Sequence, residues 1–439
     1  MSNDNAELLS APDGEFLYEN FRKPGRAFAD KSAAIKELDE GPCYPILLRP
    51  GRFGKTAFIQ MLKCFYDLSY KDRYEELFSG TDIYKENLPG HNAYHVINFD
   101  FSMVNTQSDT AFLNSFFTAV ANGIDDFKRR YPDFVFDYQD LDKSDSVTLF
   151  NYFASAYSWY AHEYFIRTGR DYSAIGGLYV MIDDYDSFVS RTLAPDFERL
   201  CSQTRGFVFL KAFYAALKAA AANARCVAKI FITGVSSVAL DFLTSGFNIA
   251  LNVSSHACFN EYAGFTEAEL AKLIPQLVDI KQLGVSADEI IARMEPVYGG
   301  YCFSQWAESA VFNSSMCLYY LDKMRREGRF LPPEDCLDPA CDSDGAKLQK
   351  LFEKAEAGLA DEIIAGCLEN DRFFIEKLAE NISLDRAARY DYDRLLSMLY
   401  YHGYLTIDRD ASDDSALALK VPNVFMSKVF ARRAANERT

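Results

Sequence analysis

The most informative segment of the chain reads Arg49-Pro50-Gly51-Arg52-Phe53-Gly54-Lys55-Thr56. It follows an apolar run at 44–48 that predicts a β-strand, and it precedes a helix-like stretch at 57–66. A strand, a glycine-bearing loop that ends in Gly-Lys-Thr and a helix are the sequence layout of a P-loop. Because glycines let backbone N–H groups approach phosphate oxygens, and a helix N-terminus favours negative charge, this layout predicts phosphate binding.

The loop residues have expected roles. Lys55 would reach the β- and γ-phosphates of a nucleotide, and the Thr56 hydroxyl would bind Mg²⁺. The loop departs from the usual pattern at Arg49, because a glycine is expected six residues before the lysine. The alternative interpretation is a glycine-rich turn before a helix that happens to contain a lysine. The residues predicted to bind the nucleotide are Gly51, Arg52, Phe53, Gly54, Lys55 and Thr56.

A second segment supplies carboxylates. The apolar residues 178–182 are followed by Asp183 and Asp184, which is typical of a buried parallel strand that carries acids to the C-terminal edge of a sheet. Open α/β sheets bind their ligands at that edge. We therefore expect Asp183 to bind Mg²⁺, directly or through water. The alternative is an ordinary buried strand followed by an acidic turn.

Two further strands complete the predicted sheet. The apolar run 229–234 contains a hydroxyl near its end, at Thr233, which is the candidate sensor of the γ-phosphate. Residues 94–101 are the fourth strand candidate. Strands that alternate with helices predict a parallel sheet covered on both faces. The predicted fold class is therefore α/β, with the three-layer parallel-sheet core of a P-loop NTPase.

These segments together resemble the AAA-ATPase-like family of bacteria and archaea, many members of which carry a C-terminal PD-(D/E)XK nuclease domain. The resemblance spans roughly residues 25–425. It implies a protein that binds ATP and Mg²⁺. The similar motifs are Asp30-Lys31-Ser32, the loop 49–56, Ile182-Asp183-Asp184-Tyr185-Asp186, Thr233-Gly234-Val235-Ser236, Ser245-Gly246-Phe247-Asn248, Gly264-Phe265-Thr266-Glu267, Tyr298-Gly299-Gly300-Tyr301-Cys302-Phe303, the segment 399–406 and Val421-Pro422-Asn423.

The chain departs from the family pattern at one catalytic position. Asp184 stands where the family has a glutamate, which polarises the attacking water in P-loop ATPases. Aspartate is one carbon–carbon bond shorter, so its carboxylate retracts by about 1.5 Å. A misplacement of about 1 Å can lower a rate on the order of 100-fold. We therefore expect weak or slow ATP hydrolysis, and the alternative is a degenerate ATPase scaffold that acts as a protein-interaction module without nucleotide turnover.

The chain also departs from the family pattern in lacking basic residues at a position where the family often has them. The family often has basic residues just after its Thr-Gly-Val-Ser motif, whereas this chain has no lysine or arginine between Lys229 and Lys272. Arg49, Arg52, Arg191 or a neighbouring subunit could supply the charge, and the sequence leaves the oligomeric state open. The candidate catalytic residues are Asp184, Thr233 and Arg52.

The composition limits the classes of partner. The formal net charge is −17 at pH 7, whereas binding to nucleic acid needs clustered lysines and arginines. Nucleic acid is therefore not an expected partner, although one local basic patch remains compatible with this charge. We find no PD-(D/E)XK nuclease site in the sequence. Ten dispersed cysteines suit a reducing cytoplasm, and no signal peptide or membrane-spanning run is visible.

Five regions are expected along the chain. They are a mobile leader (1–24), a P-loop ATPase-like core (25–264), a helical subdomain (265–331), a linker (332–346) and a winged-helix-like C-terminal domain (347–439). In the last region, a helix at 391–402 precedes two strand-like runs that flank the polar turn 408–415. Because four aspartates lie in that turn, we expect the domain to contact a protein partner rather than DNA.

Overall fold

Five parallel strands form the central sheet of the computed structural model, which describes residues 8–10, 14–86, 88–169, 176–188, 205–222, 226–238, 248–335, 342–380 and 389–436. The strands are β1 (Pro45–Leu48), β2 (His95–Asp100), β3 (Leu178–Asp183), β4 (Val227–Gly234) and β5 (Leu251–Asn252). Their order across the sheet is β2-β3-β4-β1-β5, and every pairing is parallel. The four strands predicted from the apolar runs are confirmed, and the short edge strand β5 is an addition.

The strand register brings the predicted functional residues to one edge. Leu47 of β1 pairs with Thr233 of β4, and Asp100 of β2 pairs with Asp183 of β3. Since all five strands run in the same direction, the segments that follow β1, β3 and β4 leave the sheet on the same side. The loop after β1 therefore lies near the acids that end β3, with β4 between their strands.

Helices cover the sheet and build the rest of the chain. In order they are α1 (Tyr18–Phe21), α2 (Ala34–Glu40), α3 (Lys55–Tyr66), α4 (Tyr74–Phe78), α5 (Asp109–Arg130), α6 (Ser146–Thr168), α7 (Arg205–Ala222), α8 (Glu267–Leu277), α9 (Ile280–Leu283), α10 (Ala287–Tyr298), α11 (Ser314–Glu327), α12 (Asp342–Glu353), α13 (Leu359–Glu369), α14 (Tyr392–Tyr401) and α15 (Val424–Asn436). Among the described residues, no helix is long and apolar enough to cross a membrane.

Sequence signals account for the helix positions. The Ser108 hydroxyl caps α5 by accepting from the Ala111 N–H, and the apolar stripe of α5 faces the sheet, where Phe116 and Ile124 are fully buried. At α8, Thr266 and Glu269 form a capping box, in which each side chain accepts from the other residue's backbone N–H. These caps satisfy N–H groups that have no partner inside a helix.

The described part of the expected mobile leader packs against the core instead of standing apart from it. Tyr18 in α1 is 1% exposed, its ring stacks on Phe78, and its hydroxyl donates to the Leu77 carbonyl. Burial of an aromatic ring removes a large apolar surface from water, which fixes the segment. The polar composition of the first residues concealed this anchor.

The C-terminal region combines helices α12–α15 with a small antiparallel sheet. Its strands are β6 (Phe373–Ile375), β7 (Thr406–Ile407) and β8 (Leu417–Lys420), in the order β6-β8-β7. The predicted helix and hairpin are therefore present. Helix α12 begins inside the expected linker. One aspartate of the turn, Asp408, is 1% exposed and binds Arg372 and Lys420, so its charge is used within the fold.

The C-terminal region is joined directly to the helical segment that precedes it. The Asn423 side chain donates to the Gly299 carbonyl, and the Thr406 hydroxyl accepts from the Cys302 N–H. Gly300 has a φ of +80°, and a Cβ there would lie 2.2 Å from the Pro422 carbonyl oxygen. Only glycine permits this close approach, so the two regions share a tightly packed contact.

Candidate nucleotide-binding site

The loop between β1 and α3 has the backbone of an anion-binding turn. Gly54 has a φ of +88° and is the N-cap of α3. The carbonyl of Phe53 accepts from the Gly264 N–H at 2.8 Å, and that of Arg52 accepts from the Ser315 N–H at 3.3 Å. Among the described residues, the N–H groups of Gly51, Phe53 and Gly54 donate no hydrogen bond. The carbonyls of Arg52 and Phe53 are therefore hydrogen bonded, while the three N–H groups are available to a ligand. Available N–H groups are what the binding of phosphate oxygens requires.

Lys55 lies at the start of α3 with its charge held over the loop. The side chain is 7% exposed, and its Nζ donates to the Pro50 carbonyl at 3.1 Å. An ammonium group has three donor hydrogens. Lys55 can therefore keep this bond while it donates to a phosphate.

Asp183 and Thr56 lie near Lys55, and these are the residues expected from the sequence to hold a metal ion. Thr56 and Lys55 are both close enough to Asp183 to lower the pKa of its carboxyl. Asp183 is 2% exposed, and its Oδ1 atom is buried and has no hydrogen-bond partner among the described residues. Burial, followed by the neighbouring charge of Asp184, raises the pKa of Asp183 to about 7, and Lys55 acts against this rise.

This arrangement fits a divalent cation. An unpaired buried carboxylate oxygen is costly, and a cation would satisfy it. Mg²⁺ prefers oxygen ligands and is bound through one or two protein groups together with substrate phosphates. The Asp183 carboxylate and the Thr56 hydroxyl are oxygen ligands at the expected position.

Asp184 is held at the cavity by an uncommon backbone conformation. Its φ is +50°, in the left-handed region, and it lines the cavity beside the loop. Aspartate and asparagine tolerate this region better than longer side chains, because their short polar groups bond locally. The local backbone therefore gives a reason for aspartate rather than glutamate here. The structure thus brings Asp184 to the same cavity as the loop residues.

Thr233 is placed differently from the other candidates. Its hydroxyl donates to the Leu47 carbonyl at 2.6 Å, and the residue is 1% exposed. It is not among the residues that line the cavity beside Lys55. In this conformation the hydroxyl hydrogen joins β4 to β1 and is not available to a phosphate.

Arg49 has a structural role in place of the expected glycine. Its guanidinium donates to the carbonyls of Leu48, Ser254 and Phe259 at 2.7–2.8 Å. It also lies over the Phe303 ring, 4.3 Å from the centroid, and the residue is 1% exposed. Because both terminal nitrogens of the guanidinium donate inside the protein, Arg49 anchors the start of the loop.

Arg52, the other arginine of the loop, binds the C-terminal region. Its φ is +70°, and its guanidinium donates to both carboxylate oxygens of Asp344, at 3.1 and 3.4 Å. Arg52 also lines the cavity beside Lys55. It is therefore close to the proposed phosphate position but engaged by an internal carboxylate. Arg191, another arginine candidate, lies outside the described residues, as do residues 245–247 of one quoted motif.

Sequence reasoning gave no role to Asp186, which organises the segment beside the site. Its carboxylate is completely buried and accepts from the N–H groups of Val235 and Ser236 at 2.9 and 2.7 Å, and from the Ser236 hydroxyl. Burial raises its pKa, and these three donors act in the opposite direction. Asp186 thus links the acidic strand to the Thr-Gly-Val-Ser segment. Its place at the end of the Ile-Asp-Asp-Tyr-Asp motif was the sequence signal that could have identified it.

A cavity of about 350 Å³ lies against the loop. This is within the range of about 300–1,000 Å³ that is usual for small-molecule sites. Loop residues and Asp184 form a polar part of its lining. An apolar part of the lining comes from two regions, the N-terminal segment and the helices after Gly264, and includes Phe16, Phe21, Phe28, Leu273 and Leu318. The lining therefore offers polar groups to a phosphate and apolar side chains to a flat ring.

Lys31 joins the two walls of this cavity. Its Nζ donates to the Glu269 carboxylate at 2.6 Å and to the Glu261 carbonyl at 2.8 Å. Burial lowers the pKa of Lys31, and the charge of Glu269 opposes that effect. The Asp-Lys-Ser lead-in of the sequence is therefore a link between the N-terminal segment and α8.

Comparison with known proteins identifies the family of the chain. A sequence profile of the AAA-ATPase-like family, described as "Predicted AAA-ATPase", matches residues 14–244, more than half of the chain. The chain belongs to the AAA-ATPase-like family. The family match begins at the N-terminal segment that lines the cavity and includes the loop, both acids and Thr233.

Among solved structures, the AAA-ATPase-like chain is similar to the Walker-type ATPase PABY2304 of Pyrococcus abyssi. The match has a TM-score of 0.46 and 12% sequence identity, and it covers 91% of this chain and 94% of that one. No curated protein matches the sequence.

Proposed function

We propose that this protein binds Mg–ATP and hydrolyses it weakly or slowly. The observation that carries the proposal is the convergence of Lys55, Thr56 and Asp183 on a glycine-bearing loop that borders a cavity. The loop offers N–H groups to a ligand, and Lys55 supplies positive charge. Asp183, at the end of β3, has an unsatisfied oxygen. A triphosphate with its cation matches each of these features.

Different residues of the site would bind different parts of the nucleotide. The N–H groups of Gly51, Phe53 and Gly54 would bind phosphate oxygens, and Lys55 would donate to the β- and γ-phosphates. Thr56 and Asp183 would hold Mg²⁺, which neutralises phosphate charge as the terminal bond breaks. The adenine ring would lie against the apolar part of the cavity lining. Removal of its apolar surface from water would favour binding.

Slow turnover follows from the residues around the terminal phosphate. Asp184 would orient the attacking water, with a shorter reach than glutamate. The Thr233 hydroxyl is bonded to Leu47, and Arg52 is bonded to Asp344. Each group would have to change its partner to stabilise the transition state, so this conformation favours binding over chemistry.

A second candidate function is a scaffold that does not turn over nucleotide. The observed partners of Arg52 and Thr233 favour it, because the Arg52 guanidinium is bonded to Asp344 and the Thr233 hydroxyl donates to the Leu47 carbonyl. Steady-state release of phosphate from ATP separates the two functions. Turnover that disappears in Asp184→Asn supports the ATPase, whereas binding without any turnover supports the scaffold.

The C-terminal region is proposed to be a winged-helix-like domain that contacts a protein. Its support is the helix α14 followed by the hairpin β7–β8. Asp410, Asp413 and Asp414 at the turn would repel nucleic-acid phosphates, since Arg409 donates to the Ala307 carbonyl inside the protein. The regions 25–264, 265–331 and 347–439 are proposed as the core, the helical subdomain and this domain.

Titration calorimetry with Mg–ATP tests the main proposal. The wild-type protein is expected to bind, and Lys55→Ala is expected to lose measurable affinity, since the charge over the loop is removed. The control is Lys281→Ala, an exposed lysine on α9, which should bind like the wild type. Equal affinity of the wild type and Lys55→Ala would refute the proposed site.

A further inference from the structure

The backbone of Arg52 is fixed within the loop, and its side chain is bonded to another region of the chain. Its carbonyl accepts from the hydroxyls of Ser314 and Ser315, each at 3.1 Å, so the backbone is clamped from the start of α11. Its φ of +70° is in the left-handed region, which costs free energy for a residue with a Cβ. The clamp therefore fixes where Arg52 stands, while its side chain extends to the C-terminal region.

Asp344 is held in place to meet that side chain. It lies in the first turn of α12, where the helix dipole favours a carboxylate. Its backbone carbonyl accepts from the Tyr404 hydroxyl at 2.6 Å, and its side chain is 15% exposed. Both oxygens accept from Arg52. A forked guanidinium–carboxylate contact has the same geometry as a guanidinium–phosphate contact, so Asp344 occupies Arg52 in the way that a phosphate would.

The surroundings couple this pair to the loop. A cavity of about 80 Å³ lies between the loop residues 50–53 and the C-terminal region, and both Arg52 and Asp344 line it. Gly403, at the end of α14, has a φ of +81°, and a Cβ there would lie 3.0 Å from the Pro50 Cβ. The C-terminal backbone thus packs directly on the loop, so a change in one must be accommodated by the other.

We infer that Asp344 is an internal competitor for the phosphate-binding arginine, and that nucleotide must displace it from Arg52. The inference rests on the proposed nucleotide site. Arg52 lines both the cavity beside Lys55 and the smaller cavity beside Asp344, and one guanidinium fork cannot bind two anions face to face. Nucleotide binding then releases the contact between the loop and α12. By reciprocity, the same contact weakens nucleotide binding.

The size of the effect follows from the exposure of the pair. The side chains of Arg52 and Asp344 are 24% and 15% exposed, so screening by solvent is incomplete and the pair exceeds an ordinary surface ion pair. Asp344→Asn is therefore expected to tighten binding of Mg–ATP by about five- to tenfold. In an Arg52→Ala background the same change should have no effect, because there is no guanidinium to release.

The test is calorimetry with a non-hydrolysable ATP analogue and Mg²⁺. It compares four proteins, which are the wild type, Asp344→Asn, Arg52→Ala and the double variant. The control is Asp322→Asn, which removes a carboxylate that is 21% exposed and pairs with Arg326 at 2.7 Å. It should bind like the wild type. Hydrogen exchange of α12 is the second readout. The analogue should increase exchange in the wild type, and exchange in Asp344→Asn should already be high without it.

The outcomes separate this inference from the nucleotide proposal. Equal affinity of wild type and Asp344→Asn, or a gain that persists in the Arg52→Ala background, overturns the competition while leaving the nucleotide site intact. Binding by Asp344→Asn alone would support a strong competitor. Absence of binding in all four proteins overturns both, and the thermal unfolding midpoints show whether each variant is folded.

Discussion

Asp183→Asn is expected to stabilise the nucleotide-free protein at pH 8 while it removes Mg²⁺-dependent affinity. Burial raises the pKa of Asp183 from 3.8 to about 7, with Asp184 and Asp100 adding to the rise and Thr56 and Lys55 opposing it. Each pKa unit corresponds to about 1.4 kcal/mol, so the ionised carboxylate costs about 4 kcal/mol of folding free energy. The ionised Asp183 carboxylate therefore destabilises the folded protein when no cation is bound.

The sign follows from the order of the two pKa values. The unfolded chain releases its proton near the ordinary value, and the folded chain releases it near 7, so the folded state holds the proton more tightly. The stability of the wild type therefore falls as the pH rises from about 4 to 7 and stays low above that range. Asparagine does not titrate, so the variant lacks this fall.

The two proteins should be compared by urea unfolding between pH 5 and 8 without divalent cations. The free energy of the variant, relative to the wild type, should rise by about 3 kcal/mol across this range. An asparagine N–H without a partner costs about 1–3 kcal/mol, which leaves the variant ahead by about 1–3 kcal/mol at pH 8. Asp140→Asn, an exposed aspartate between α5 and α6, is the control and should follow the wild type. Parallel profiles for Asp183→Asn and the wild type would refute the reasoning.

Two other substitutions test the acids around the site. Asp184→Glu should raise the rate of phosphate release, by on the order of 100-fold at most, with little change in nucleotide affinity, and an unchanged rate would rule out a water-orienting role. Asp186→Asn leaves one of the Val235 and Ser236 N–H donors without an acceptor, so the free energy of unfolding should fall by about 2–3 kcal/mol. A wild-type unfolding midpoint for that variant would contradict the assigned hydrogen bonds.

The fold was largely predictable because its signals are local. The apolar runs of β1, β3 and β4 are formed by consecutive residues, and each strand lies within a few positions of its expected bounds. The strand β5 has two residues, pairs with β1 at the edge of the described sheet, and leaves Leu251 49% exposed. A strand of that length has no period to detect, which explains why it was missed.

The site was predictable in its parts but not in its assembly. The loop and the acids after β3 could be named because they follow strands that end at one edge of a parallel sheet. The sequence could not show that the Leu47 carbonyl accepts from Thr233, or that Asp344 binds Arg52 across 292 positions of the chain. Such contacts depend on the packing of separate elements, and no spacing in the sequence records them.

The same packing would let a phosphate bound at the loop change a contact with the C-terminal region. Backbone N–H groups of Gly264 and Ser315 hold its carbonyls, and Asp344 holds its arginine. The loop therefore contacts Gly264, the start of α11 and the C-terminal region at once. A phosphate that draws Arg52 inward must alter the last of these contacts, since the first two fix the backbone. Slow hydrolysis would then prolong the altered state, so a weak ATPase on this fold would act as a timed switch.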